Sequence, residues 1–209
     1  MFVQKMEKNI SLIDSGAGNL HSVYKAFKHI GSNIEITKDP KEIKKSSAVV
    51  LPGVGAFGAV MDSIRSYKLE EIIIESAKSD KPFLGICVGM QVLFEDGEEN
   101  PEVKGLGVFK GTVIKFKKAK KIPHTGWNDV THSSYKKNGS ELFDEKFYFV
   151  HSYYVVPQDE NIIYGETNYD NEIFTSIIKV NNLLAVQFHP EKSGDAGLDF
   201  LEEFIELVG

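Results

Sequence analysis

Between residues 10 and 94, short apolar runs alternate with stretches of helical periodicity, and this alternation restricts the fold more than any other feature of the chain. Residues 10–13 and 48–51 read as strands, the second an unbroken Ala-Val-Val-Leu run of the kind buried on both faces of a sheet. Ile34 and Ile36 mark another strand, and residues 83–86 a further one after Pro82. Between them, Leu20, Val23, Tyr24, Phe27 and Ile30 share a helical face that Gly31 ends. Phe57, Val60, Met61 and Ile64 recur at i, i+3, i+4 and i+7, and Leu69, Ile72, Ile73 and Ala77 form a third face. A helix from Val88 to about Phe94 follows the last strand. The βα order predicts an α/β fold, with a central, mostly parallel sheet flanked by helices.

After about Gly105 the texture changes. Residues 112–116, 147–150, 153–156, 162–166, 174–180 and 183–188 are strand-like and joined by turns rich in Gly, Asn and Asp, which predicts an antiparallel extension. Leu201, Phe204, Ile205 and Val208 line one face of a closing helix. No repeat or long linker divides the 209 residues, so a single domain is expected, with residues 1–9 a short N-terminal extension. The single cysteine, Cys87, excludes an intrachain disulfide and a cysteine-rich zinc site. No histidine pair has metal-ligand spacing, so no metal is expected. The net charge of −6 argues against a nucleic-acid partner. The basic run Lys115, Lys117, Lys118, Lys120 and Lys121 reads as a solvated loop. No secretory leader or membrane-spanning run is visible, and a cytoplasmic protein with a free thiol is expected.

Cys87 sits in Gly85-Ile86-Cys87-Val88-Gly89, between an apolar strand and a helix. This is the glycine–x–nucleophile–x–glycine arrangement of an elbow that lifts a reactive side chain from a sheet edge. A helix N-terminus favours the thiolate, and the Val88 amide is placed to receive an oxyanion. Without those neighbours a lone cysteine would read as a small buried hydrophobe.

A thiol nucleophile needs a base, and the base an orienting carboxylate. Of six histidines, His189 follows the apolar run 183–186 and so falls past a strand's C-terminal end, where α/β sheets hold their ligand crevices. Pro190 fixes the turn there, and Glu191 is near enough in sequence to reach back to the imidazole. His29 reads as structural or exposed, His132 as a loop residue, and His151, beside Ser152 and Tyr153, as a candidate to line the same cleft. Gly53-Val54-Gly55-Ala56-Phe57-Gly58 superficially resembles a dinucleotide loop, but Pro52 stands at its entry and no ribose-binding acid follows at the expected distance. The alternative is a glycine-rich strand that faces the thiol, supplies a second oxyanion donor and flips between two states.

Taken together, the elbow through Gln91, Pro52-Gly53-Val54-Gly55 and His189-Pro190-Glu191 resemble class I glutamine amidotransferases. Pro123-His124-Thr125-Gly126-Trp127-Asn128, Phe149-Val150-His151-Ser152-Tyr153-Tyr154 and Gly18-Asn19-Leu20 narrow the resemblance to the glutaminase subunits of imidazole glycerol phosphate synthase. It runs from residue 10 to the C-terminus and implies a flavodoxin-like fold. It also implies a Cys87-His189-Glu191 triad and an oxyanion hole from Val88, Gly53 and Val54. Gly55, Gln91, Ser152 and Tyr153 would contact L-glutamine, and Ala17, Gly18, Asn19, Trp127 and Asn128 would meet a partner, a cyclase subunit with a (β/α)8 barrel. No metal or organic cofactor is implied. Two departures are Asp14-Ser15-Gly16, where the family commonly has Asp-Tyr-Gly, and Ala185, where it usually has Gly. Three competing readings are a paralogous glutaminase feeding surface-sugar amidation, a standalone thiol hydrolase, and a non-catalytic module that kept the fold.

Overall fold

The computed structural model describes residues 9–16, 19–132 and 145–208; Ala17 and Gly18, expected at an interface, and residues 1–8 of the extension lie outside them. The first half is built as the alternation predicts. It comprises β1 (Ile10–Ile13), α1 (Leu20–His29), β2 (Ile34–Thr37), α2 (Pro40–Lys45), β3 (Ala48–Gly53), α3 (Phe57–Ser66), α4 (Glu70–Lys78) and β4 (Phe83–Cys87). The short α2 was not anticipated, although it has a start signal: Pro40 at its first turn and Asp39, whose carboxylate accepts from Lys41 N at 2.8 Å.

Behind β4 come α5 (Val88–Gln91), β5 (Asp96–Gly97), β6 (Gly111–Lys115), β7 (His124–His132), β8 (Glu145–His151), β9 (Tyr153–Pro157), β10 (Ile163–Tyr169), β11 (Glu172–Val180), β12 (Leu183–Val186) and α6 (Gly194–Leu207). The helix expected to reach Phe94 stops at Gln91, because its next carbonyls are taken by a returning loop. Leu106 N donates to Val92 O, and Val108 and Phe109 N donate to Leu93 O. β7 was not anticipated, and His132, expected in a loop, is its last residue. The lysine run is exposed as expected; its backbone is held by Glu172, which accepts from Lys117 and Lys118 N, and by Asp170, which accepts from Lys120 N.

The described strands form a nine-stranded sheet in the order β2-β1-β3-β4-β12-β11-β10-β7-β8, flanked by helices, and a small sheet β5-β6-β9. β2, β1, β3, β4 and β12 pair parallel, and from β12 onward every pairing is antiparallel. Every residue of β1, β3, β4 and β12 is buried, as strands covered on both faces require. The antiparallel extension is therefore real, but β12 belongs to the parallel half. It returns after a long excursion to lie beside β4, with Val186 level with Ile86. That return, invisible in local sequence, positions the site.

Candidate active site

Cys87 ends β4 and precedes α5 with φ 54° and ψ −112°, a backbone conformation costly for any residue but glycine. The surrounding glycines are required by contact. A Cβ on Gly89 would overlap Leu51 O, and one on Gly53 would come to 2.6 Å from Gly89 N. A larger residue at either place would push β3 and the elbow apart. Gly53 pairs with Cys87 across β3–β4, and the residue after Val186 comes level with both. The C-terminal ends of three adjacent parallel strands thus deliver Gly53, Cys87 and Gln187 to one edge.

Two residues past that edge stands His189. Its N donates to Tyr148 O at 2.9 Å and its carbonyl accepts from Ser193 Oγ at 2.7 Å, which ties the backbone on both sides of a 3-10 turn, Pro190–Lys192. The turn carries Glu191 back so that its Oε1 lies 2.9 Å from His189 Nδ1, with both side chains almost wholly buried. The opposite nitrogen, Nε2, is buried with no hydrogen-bond partner among the described residues. The Cys87 sulfur is near enough to bias His189 toward its charged form. Burial opposes that charge, but the negative charges of Cys87 and Glu191 outweigh it, and the His189 pKa is pushed up to about 10.

Cys87 and His189 open onto a cavity of about 430 Å³, large enough for an amino acid. Val54, Gly55, Val88, Gln91, Ser152 and Tyr153 line it too, so the residues expected at the oxyanion hole and around the substrate converge, with Gly53 just behind on β3. Gly55 has φ +99°, a left-handed geometry suited to glycine, and open space where a Cβ would stand. His151 joins the lining, and behind it lies a partner the sequence did not suggest: His124 Nδ1 is 3.1 Å from His151 Nε2. Two further residues were missed. Glu99 is an acidic side chain at the cavity, its Oε2 accepting from Phe57 N at 2.7 Å. Gln187 lies at the thiol itself, with Nε2 3.6 Å from Cys87 Sγ. Among the described residues no three His, Cys, Asp or Glu side chains come together as metal ligands.

Of the residues expected at an interface, Asn19 lines the cavity mouth and Trp127 on β7 is 54% exposed, an unusual position for the chain's one tryptophan. Asn128, next to it and partly exposed, donates from Nδ2 to Asn168 O at 3.0 Å and lies 3.3 Å from His124 Nε2.

An elbow cysteine facing a buried His–Glu pair at the edge of a parallel sheet defines a class of amide-cleaving thiol enzymes. The family model described as glutamine amidotransferase class-I matches residues 11–207, and the chain belongs to that family. Within it the similarity is to one kind of subunit. Imidazole glycerol phosphate synthase subunit HisH of Pyrococcus furiosus is 49% identical over 203 residues, which cover 95% of this chain and 98% of that one. The subunit HisH 1 of Methanococcus maripaludis is 48% identical over 208 residues, covering 95% and 100%. Similarity at this level along the whole of both chains places the protein with the HisH subunits. A crystal structure titled glutamine amidotransferase superposes with a TM-score of 0.74 at 19% identity, over 96% of this chain and 98% of that one, and supports the fold.

Proposed function

We propose that this chain is the glutaminase subunit of an imidazole glycerol phosphate synthase. It hydrolyses L-glutamine to glutamate and ammonia and passes the ammonia to a cyclase subunit, in histidine biosynthesis. The observation that carries the chemistry is the strand register that brings Gly53, Cys87 and the His189–Glu191 pair together at one cleft. Cys87 attacks the carboxamide carbon as a thiolate. The oxyanion is held by the Val88 N–H and by a backbone N–H of the Gly53–Val54–Gly55 strand once the Val54 peptide turns toward it. His189 gives its Nε2 proton to the departing ammonia, leaving a glutamyl thioester on Cys87. The now neutral imidazole takes a proton from water, whose oxygen attacks the thioester, and glutamate and the thiolate are released. Glu191 keeps the Nδ1 proton in place throughout. Gly55, Gln91, Ser152 and Tyr153 contact the substrate, and Glu99 suits its α-ammonium.

The partner is a (β/α)8-barrel cyclase that covers Asn19 and the exposed Trp127, and the pair works in the cytoplasm. The full-length similarity to HisH subunits supports this assignment over surface-sugar amidation or a standalone thiol hydrolase. Free ammonia is protonated and lost in water, so turnover is best withheld until the acceptor is bound. The mobile element for such control is the glycine strand. The test is co-purification with the cyclase subunit, followed by glutamine hydrolysis with and without the cyclase's ribonucleotide substrate. That substrate raises the rate about tenfold or more. Full activity of the chain alone, or stimulation by a sugar acceptor instead, would overturn the reading.

A further inference from the structure

Gln187 is fully buried, at 0% exposure, and among the described residues its side-chain amide hydrogen-bonds Gln91 and Cys87. Which end of that amide faces the sulfur follows from its neighbours. The Tyr153 carbonyl can only accept, so the Gln91 atom 3.0 Å from it is the nitrogen. The same Gln91 Nε2 lies 3.0 Å from the Gln187 side chain, which therefore presents its oxygen there. That leaves the Gln187 NH2 pointing at Cys87 Sγ, 3.6 Å away, a normal separation for a donor to the larger sulfur atom.

The carbonyl at the root of this order is itself held. His151 Nδ1 lies 2.9 Å from Tyr153 O and donates to it, so His151 Nε2 is an acceptor for His124 Nδ1–H, and His124 Nε2 for Asn128 Nδ2. The hydrogens that link these side chains are thereby placed, and both on Gln91 Nε2 are used inside the protein. Only Gln91 Oε1 is left for substrate, so Gln91 contacts a donor of the glutamine.

We infer that Gln187 is a further catalytic residue: its side-chain N–H donates to the Cys87 sulfur and favours the thiolate, in an orientation imposed by Gln91 and the Tyr153 carbonyl. An N–H donor bonds a thiolate more strongly than a neutral thiol, so a fixed amide here biases the nucleophile toward its reactive form. The inference rests on the proposed role of Cys87, and its test separates the two claims. Cys87 is the only cysteine, so iodoacetamide labelling followed across pH reports on its thiolate without any need for glutamine. Gln187→Met removes the donor at similar volume. Gln187→Leu removes the donor with another uncharged side chain, so it decides the matter even if the methionine variant does not fold. The other ionisable side chains at the cavity, His151, His189, Glu99, Tyr153 and Lys192, and Glu191 behind His189, are untouched in both. The labelling midpoint should move up by about one pH unit and glutamine turnover fall about tenfold or more. An unchanged labelling profile in either folded variant would overturn the role of Gln187. Glutamine turnover that survives Cys87→Ala would instead overturn the nucleophile itself.

Discussion

At the scale of the residue, the site sets a few ionisable groups close together, with the side chains of Cys87, His189 and Glu191 almost wholly buried. His189 is buried, which alone would make it neutral, yet the negative charges of Cys87 and Glu191 favour its protonated form, the form from which we propose that it serves the leaving ammonia. Glu191 contributes one side chain's charge at 2.9 Å and also fixes the ring. Glu191→Gln keeps the shape and removes the charge. Since that charge raises the His189 pKa, its loss lets the imidazolium discharge at lower pH. Turnover should fall by about 100-fold or more, and the limb of the kcat/KM profile that reports His189 should move toward lower pH. A profile unchanged in position would mean that Glu191 does not act through His189.

At the scale of the element, the decisive fact is which strands lie beside which. Cys87 was legible because everything that shapes it is local: Gly85 and Gly89 flank it in sequence and in space. His189 and Glu191 were legible because two residues and a proline define their turn. Gln187 stands in the same stretch, yet its task depends on β12 returning to β4, a pairing between segments 100 residues apart. The His124–His151 pair was hidden for the same reason. It forms only because β7 and β8 pair with these two residues opposite each other, and the polar β7 carries little of the apolar alternation that marks a strand. Burial lowers the pKa of His124 to about 4, against the pull of Asp170, and burial lowers that of His151 to about 3. Both are neutral in the fold, whereas unfolded histidine titrates near pH ~6.5. Their contribution to stability is therefore complete above that pH and is lost as pH falls below it, because the unfolded chain takes up protons that the fold refuses. His189, with its raised pKa, gains stability as pH falls through the same range, but two groups outweigh one, so urea unfolding should still give a lower free energy at about pH 5.5 than at about pH 7.5, and equal values would mean that the pair is not buried and neutral.

At the scale of the whole molecule, one half of the sheet makes the reactive edge and the other supplies its walls. The parallel strands deliver Gly53, Cys87 and His189, and β8 and β9 bring His151 and Tyr153 around the same opening. A thiol that hydrolysed glutamine unchecked would waste it, and a cavity bordered by a glycine strand is suited to be completed by a second subunit. The central claim is that Cys87 generates ammonia which that subunit consumes. The most direct test is product formation by the complex carrying Cys87→Ala, supplied with glutamine or with ammonium salt. Turnover from glutamine should fall about 10⁴-fold or more, while turnover from ammonia stays at the unmodified rate. Glutamine-dependent turnover that persists, or the loss of both activities together, would contradict the account.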